Sequence, residues 1–234
     1  MEKVKIGLCD DESIIMEILK RQIETVMKKV GIDFEIKTFS SGKKLLSSVN
    51  SFHLVFLDLQ MPEIDGIELG RRIRMKNPKC KTIIATGQVE RFKEAFHVNA
   101  FRFITKPFCQ EEVEEAICSF LKGRMGRKKI SVYQNRVLYD IEQRDITYLL
   151  AYGSYIEVVT ENGIFRKEIS LSEAEELLDN RMFFRVHRKY IVNMEKIEVY
   201  QDGNIWVNER KIEVARRKRR EFEKKYMEFD LLTV

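Results

Sequence analysis

In the first half of the chain, acidic, hydroxyl and ammonium side chains close one apolar run after another. Asp10-Asp11 ends Val4 to Cys9, and Asp58 ends Leu54-Val55-Phe56-Leu57. Thr86 closes a fourth strand candidate, and Lys106, before Pro107, follows Phe101 to Ile104. Such runs read as strands, and strand ends in an open parallel sheet converge on one edge, where ligands bind. Carboxylates there suit Mg²⁺, which takes oxygen ligands octahedrally and keeps several waters. A lysine would hold a phosphate oxygen as a point charge, and a threonine offers it a hydroxyl. Each residue alone has a plainer reading. A lone Asp after a strand is ordinarily a turn residue, and Asp10-Asp11 could cap a helix. The complete set, each member closing a different strand, points to phosphoryl chemistry.

The elements that must position this set follow from periodicity. Strand candidates are 3–8, 33–39, 54–58, 82–86 and 100–104. Helical patterns lie between them at about 12–29, 41–49, 66–75, 90–98 and 109–122. Five strands alternating with five helices imply a parallel sheet covered on both faces. Ser40 or Ser41 is expected to cap the second helix and Asp65 the third. The segment Lys122-Gly123-Arg124-Met125-Gly126-Arg127-Lys128-Lys129 is short, polar and carries two glycines. It reads as an interdomain linker, giving domains at 1–122 and 129–234 joined by 123–128.

The second half is β-rich. Runs at 130–133, 136–140, 146–151, 155–160 and 164–168 precede one helical stretch, Leu171 to Leu178, with Ser170 and Glu173 placed as a capping box. Further strands are expected at 190–192, 196–201, 204–207 and 211–214, and a basic helix near 216–227. Glu161-Asn162-Gly163 and Asp202-Gly203 are hairpin signals, since Asn-Gly and Asp-Gly tolerate positive φ. In Phe183-Phe184-Arg185-Val186-His187-Arg188-Lys189-Tyr190-Ile191-Val192-Asn193, residues 184, 186, 190 and 192 alternate as in a half-buried strand. His187 there is most simply structural, because no partner ligands for zinc and no nucleophile accompany it.

Size and composition bound the rest. The 234 residues suffice for two domains, and 44% hydrophobic with 34% charged content is that of a soluble globular chain. No apolar stretch reaches the roughly 20 residues needed to cross a bilayer. No cleaved leader is expected, since the N-terminus runs directly into a strand pattern. Cys9, Cys80, Cys109 and Cys118 lack metal-ligand spacing and read as reduced cytosolic thiols. The net charge of +5 is spread over both halves. Between Arg210 and Arg220, however, seven basic residues face one acid, Glu213. Such a run suits a polyanion, although most charge runs are solvated faces.

On these motifs, residues 1–122 resemble a CheY-like receiver domain of the two-component response regulators. The matching residues are Asp10-Asp11, Asp58 with Met61-Pro62 and Asp65-Gly66, Thr86-Gly87, and Lys106-Pro107-Phe108. The resemblance implies a flavodoxin-like, doubly wound, five-stranded α/β fold. It also implies Asp58 as phosphoacceptor, and Mg²⁺ arranged by Asp10, Asp11, Asp58 and the Gln60 carbonyl. Thr86 and Lys106 would sense the phosphate, Phe103 would be the aromatic switch, and the Lys106-Pro107 bond would be cis. Gly87 stands where alanine is more usual. The phosphoryl group would come from a sensor histidine kinase. Gln60 and Gln88, two positions beyond Asp58 and Thr86, would flank the path of a hydrolysing water.

Roughly residues 129–230 resemble the LytTR DNA-binding domain, through the 183–193 string, Leu149 to Val159, the Asn162-Gly163 hairpin and Val214-Ala215-Arg216-Arg217. The resemblance implies a mainly β domain with short helices, whose loops enter successive major grooves of paired direct repeats. DNA contacts would come from Ser154 and Tyr155, from His187 and Arg188, and from Arg216 and Arg217. Arg188 is not the residue most usual at its place, and Tyr155 cannot copy an imidazole contact, so the base preference stays open. Arg188 and Arg216 could each read guanine bidentately.

Together these readings describe a cytoplasmic, bacterial transcriptional regulator that binds double-stranded promoter DNA and forms a homodimer on phosphorylation. No membrane partner is expected, nor any enzyme activity beyond self-phosphotransfer and autodephosphorylation at Asp58. The competing reading is a regulatory protein whose β domain binds a protein partner. A steep loss of affinity with salt marks DNA and separates the two.

Overall fold

The computed structural model describes residues 3–91, 94 and 100–231. The chain divides into two compact units, one ending at Phe120 and the other beginning at Leu121.

The first unit is a five-stranded parallel sheet, β1 (Val4–Cys9), β2 (Phe34–Phe39), β3 (Leu54–Leu57), β4 (Lys81–Thr86) and β5 (Arg102–Thr105), in the order β2-β1-β3-β4-β5. Every residue of β3 is buried, as expected of a strand covered on both faces. Helices α1 (Ser13–Lys29), α2 (Gly42–Ser48), α3 (Gly66–Lys76) and α4 (Gln110–Lys122) supply the covers. Their apolar stripes follow helical spacing: Leu19, Ile23, Val26 and Met27 on α1, and Leu69 and Ile73 on α3. Leu45, Val49, Phe52, Val55, Leu57, Leu69, Ile73 and Ile84 pack into one core.

Strand order reverses between β1 and β3, the place where open α/β sheets bind ligands. The register there is level: Cys9 lies opposite Leu57, and the Asp58 amide donates to the Cys9 carbonyl at 3.0 Å. Asp10 and Asp58 are thus the first residues past the sheet on neighbouring strands. Thr86 pairs with Thr105, so Lys106 is also one step past the edge.

Asp65 caps α3 as expected, its carboxylate accepting from the Ile67 amide at 2.9 Å. Ser41 occupies the N-cap of α2 but makes no capping bond; its hydroxyl donates to Glu63 instead. Of the helical pattern at 90–98, Val89–Arg91 forms a single 3₁₀ turn. Residues 92, 93 and 95–98 lie outside the described residues.

The second unit holds a seven-stranded antiparallel sheet in the order β11-β12-β8-β9-β10-β6-β7 and a three-stranded sheet, β13-β14-β15. The strands are β6 (Lys129–Gln134), β7 (Val137–Glu142), β8 (Ile146–Tyr152), β9 (Tyr155–Thr160), β10 (Gly163–Lys167), β11 (Phe183–His187), β12 (Tyr190–Asn193), β13 (Val199–Gln201), β14 (Asn204–Val207) and β15 (Arg210–Glu213). Helix α5 (Leu171–Leu177) starts on the expected capping box, with Ser170 and Glu173 each accepting from the other's amide. Helix α6 (Arg219–Leu231) follows a 3₁₀ turn at Arg216–Lys218. Phe222 of α6 is fully buried among the rings of Phe184, Tyr200 and Tyr226.

Three expectations change. The 183–193 string is a hairpin rather than one strand. His187 pairs with Tyr190 across a turn at Arg188-Lys189, and an irregularity between Phe184 and His187 breaks the alternation. Phe183 and Phe184 are consequently both buried, as are Ile191 and Val192. In the Asn-Gly hairpin the two loop residues are Glu161 and Asn162, while Gly163 (φ 143°) already pairs with Thr160 in β10. Finally, residues 123–128 are not a loose tether. Met125 is buried, the Gly126 carbonyl accepts from the Arg144 amide at 3.0 Å, and the Lys128 carbonyl accepts from the Gln143 amide at 2.9 Å. This segment is built into the second unit.

Gly66 matters most for the geometry of the first unit. Its amide donates to the Leu59 carbonyl at 2.9 Å, and a Cβ here would meet the Asp58 carbonyl oxygen at 2.2 Å. The start of α3 can lie against the strand end only without a side chain. Gly66→Ala is expected to cost about 2–3 kcal/mol, read as a lower urea midpoint with unchanged slope.

Candidate functional site

The expected acidic site assembles. Asp10 and Asp58 are buried and Asp11 is exposed, and one carboxylate oxygen from each lies within 4.8 Å of the others. The Lys106 ammonium sits between two of them, 2.8 Å from Asp10 Oδ2 and 3.0 Å from Asp58 Oδ2, with Glu12 farther off at 3.8 Å. The second Asp10 oxygen accepts from the Glu12 amide at 2.9 Å, and Asp58 Oδ1 accepts from the Leu59 amide at 2.7 Å. Backbone amides thus fix both carboxylates, and one cation bridges them. The Lys106-Pro107 bond is cis.

Burial raises the Asp10 pKa most, and the like charge of Asp58 adds to that, against hydrogen bonds from Lys106 and the Glu12 amide. Burial works to lower the Lys106 pKa, but hydrogen bonds and charge from Asp10 and Asp58 outweigh it and leave the ammonium favoured. Three carboxylates against one ammonium leave a net charge near −2. That matches a divalent cation in sign and size, and all-oxygen donors suit a hard one.

Thr86 is fully buried at the end of β4, and its hydroxyl accepts from the Gln88 amide at 3.3 Å. A Cβ on exposed Gly87 would find its nearest neighbour, the Lys106 Cβ, 3.9 Å away, so the loop after β4 is open beside the lysine. Phe103 is half-buried and packs on the core. Gln60 is exposed at the rim. Gln60, Asp11, Asp65, Gln88 and Arg91 help line a cavity of about 520 Å³. Sequence reasoning missed Arg91, which binds Asp65 at 2.8 Å and Glu94 at 2.8 Å, because nothing in the local string marks it.

In the second unit the three expected contact places share one end of the large sheet. The β8–β9 turn holds Gly153 (φ 53°) and Ser154. The β11–β12 turn, Arg188-Lys189, lies beside it, because β12 pairs with β8 and the Ala151 amide donates to the Lys189 carbonyl at 2.9 Å. Arg216-Arg217 is drawn to the same end by the Ala215 amide, which donates to the Val186 carbonyl at 2.9 Å. His187 is structural in part: its Nδ1 accepts from the Lys189 amide at 3.3 Å, which leaves Nε2 as the donor of the neutral ring. Tyr155 stacks on Tyr152 and lies under the Arg166 guanidinium, 3.7 Å from the ring centroid.

The basic run at 210–220 is not one surface. Arg210 donates to the hydroxyls of Tyr148 and Tyr190, Arg219 binds Glu213 and the Val214 carbonyl, and Lys218 lies over Phe184. Arg216 and Arg217 are exposed, as are Arg188 and Lys189. Among the described residues none of these four makes an ion pair.

Family models match along the chain: the response regulator receiver domain over residues 6–118 and the LytTr DNA-binding domain over 136–227. The chain is a response regulator of the LytTR family. Transcriptional regulatory protein LytR of Staphylococcus aureus (strain bovine RF122 / ET3-1) is 28% identical over 227 residues, covering 88% of each chain. Sensory transduction protein LytT of Bacillus subtilis (strain 168) is 22% identical over 219 residues, again 88% of each. Among solved structures, the BeF3-activated DrrB receiver domain is 28% identical, with a TM-score of 0.44 over 52% of this chain and 99% of that one. A LytTr DNA-binding domain from Bacillus cereus is 24% identical, with a TM-score of 0.40 over 43% and 97%. This LytTR-family regulator therefore couples a receiver to a DNA-binding output and acts in phosphorylation-dependent transcription regulation. No helix among the described residues is long and apolar enough to cross a membrane.

Removing Lys106 exposes the cost of the carboxylates it separates. In metal-free buffer, Lys106→Met is expected to destabilise the receiver by about 1–3 kcal/mol at pH 7. Without the ammonium, the folded-state pKa of Asp10, already raised by burial, lies farther above its unfolded value. The penalty is then full above that raised folded-state pKa and is lost as pH falls toward the unfolded value and the carboxyl takes up a proton. Urea midpoints for wild type and variant should converge between pH 7 and pH 4.

Proposed function

We propose that Asp58 accepts a phosphoryl group from a sensor histidine kinase, with Asp10, Asp11, Asp58 and the Gln60 carbonyl holding Mg²⁺. The observation that carries this reading is the Lys106 ammonium bridging two buried carboxylates at the sheet's switch point, with Thr86 closing the next strand. Mg²⁺ bound to such oxygens would neutralise charge on the transferring group. In the transfer, a nitrogen–phosphorus bond of the kinase phosphohistidine breaks and a bond from an Asp58 carboxylate oxygen to phosphorus forms. Asp58 Oδ1 is oriented by the Leu59 amide, and Lys106 is placed to move from a carboxylate to a phosphoryl oxygen.

The new group carries about −1.5 to −2 of charge, enough to draw the Thr86 hydroxyl away from its bond with the Gln88 amide. The half-buried Phe103 ring would follow, shifting a two-state equilibrium on the β5 face. Autodephosphorylation would use water between Gln60 and Gln88. Among the described residues the buried Gln88 side-chain oxygen finds no hydrogen-bond partner, which suits that task. The enzyme chemistry proposed ends there.

The output would be dimerisation in the cytoplasm and tighter binding to paired direct repeats. Joining two weak binders raises effective concentration without new base contacts. Ser154 and Tyr155, His187 and Arg188, and Arg216 and Arg217 would face the duplex from the one end of the sheet they share.

In fluorescence anisotropy with a promoter duplex, beryllofluoride and Mg²⁺ are expected to tighten binding of wild type and to leave Asp58→Asn at its basal affinity. Equal tightening in both would remove Asp58 from the switch. Arg188→Ala and Arg216→Ala should each lose about 1–3 kcal/mol of discrimination between cognate and scrambled duplex. Arg185, which is held by Ser172 and Glu175, should be replaceable by alanine with little change in that discrimination. Competition binding against both duplexes at fixed salt separates these outcomes.

A further inference from the structure

We infer that the outer edge of β7 is a self-association surface, covered in the DNA-free regulator by β7 of a second copy of this chain. Strand β7 ends the order of the seven-stranded sheet, and among the described residues no strand pairs with its outer side. Val137, Leu138 and Tyr139 are 52%, 55% and 41% exposed. Natural edge strands are blunted by lysine, proline or a bulge, because an open apolar edge is a template for another chain. The string Val137-Leu138-Tyr139-Asp140-Ile141-Glu142 has no lysine or proline, and its pairing with β6 runs without a register shift.

The register of the pair follows from the hairpin. Gln134 and Val137 flank the two-residue turn Asn135-Arg136, so Val137, Tyr139 and Ile141 direct their backbone groups to β6. Leu138, Asp140 and Glu142 leave theirs at the free edge. Two copies that keep their core faces on one side must pair about a residue of β7. Centring on Asp140 opposes that residue to its own copy and Arg136 to Arg144, which sets like charges together. Centring on Tyr139 opposes Tyr139 to its copy, Val137 to Ile141 and Arg136 to Glu142, which joins apolar to apolar and cation to anion. Tyr139, packed edge-on against Phe165, then lies on the two-fold axis. One strand a side is less than a standard interface, so the association is weak and concentration-dependent. Direct repeats relate their two domains by translation along the duplex, so this two-fold pair competes with paired-site binding. That last point rests on the direct-repeat reading above; self-association does not.

The test uses the full chain carrying Cys109→Ser, which removes the exposed native thiol and leaves three buried ones. A residue opposite its own copy in a non-hydrogen-bonded pair has its Cα about 4.5 Å away, within disulfide reach. Mild oxidation of Tyr139→Cys is expected to yield a covalent dimer, and Leu138→Cys, which faces Asp140, should yield much less. In sedimentation velocity, Arg136→Glu and Glu142→Arg should each lose the dimer present in wild type, and the double charge swap should regain it. Equal cross-linking at 138 and 139, a wild type monomeric at every concentration, or a double swap that stays monomeric would each overturn the inference. A direct-repeat duplex should suppress the Tyr139→Cys cross-link. Cross-linking that persists on the duplex would refute the direct-repeat reading and leave the β7 pair standing.

Discussion

Asp10 and Asp58 lie side by side at the end of one sheet, largely out of water, and Lys106 is the charge that allows it. The ammonium lies 2.8 and 3.0 Å from the two carboxylates, while backbone amides of Glu12 and Leu59 hold their other oxygens. Everything else in the receiver serves that contact. The level register of β1 and β3 sets the acids abreast, β5 carries the lysine one step past the edge, and Gly66 lets α3 begin against the strand that delivers Asp58. The arrangement is stable yet incomplete: the excess negative charge is what a divalent cation and a phosphoryl group would each alter.

The DNA-binding unit solves a different problem, which is to keep a few cations free on a surface where many are present. Arg210, Lys218 and Arg219 are anchored by tyrosine hydroxyls, an aromatic ring and a carboxylate. Their charge is thereby committed to holding β15 and the start of α6 in place. Arg216 and Arg217 stay exposed beside the Arg188-Lys189 turn, because the Ala215 amide is bound to the β11 backbone. A charge committed within the fold costs more to withdraw than a solvated one, so the solvated four are the ones suited to phosphates and bases.

How much of this was legible in the sequence depended on the kind of signal. The receiver's strands could be read because a fully covered parallel strand is an unbroken apolar run, and its end is marked by the first polar residue, as at Asp58. Asp65 and the Ser170–Glu173 box were legible because capping is local chemistry. Turns without glycine were not. The Arg188-Lys189 turn has no Gly, Asn or Pro, and Asn135-Arg136 and Asn208-Glu209 reach positive φ without a glycine. The 183–193 string looked like one strand because a hairpin with an irregularity can mimic alternation over a few residues. Residues 123–128 looked like a tether because glycine signals freedom in a sequence. Gly126 is instead a tight fit, with a Cβ position 2.5 Å from the Met182 sulfur. Which arginines of the 210–220 run stay free was a matter of tertiary partners, which no local pattern carries.

The central claim is that Asp58 takes up a phosphoryl group between Lys106 and a bound cation. Intact-protein mass spectrometry after incubation with a small-molecule phosphodonor and Mg²⁺ tests it most directly. The account predicts a gain of one phosphoryl mass that hydroxylamine removes, that maps to the peptide holding Asp58, and that is lost in Asp58→Asn and without Mg²⁺. A hydroxylamine-stable adduct elsewhere, or an unchanged mass under a donor that phosphorylates other receivers, would contradict it.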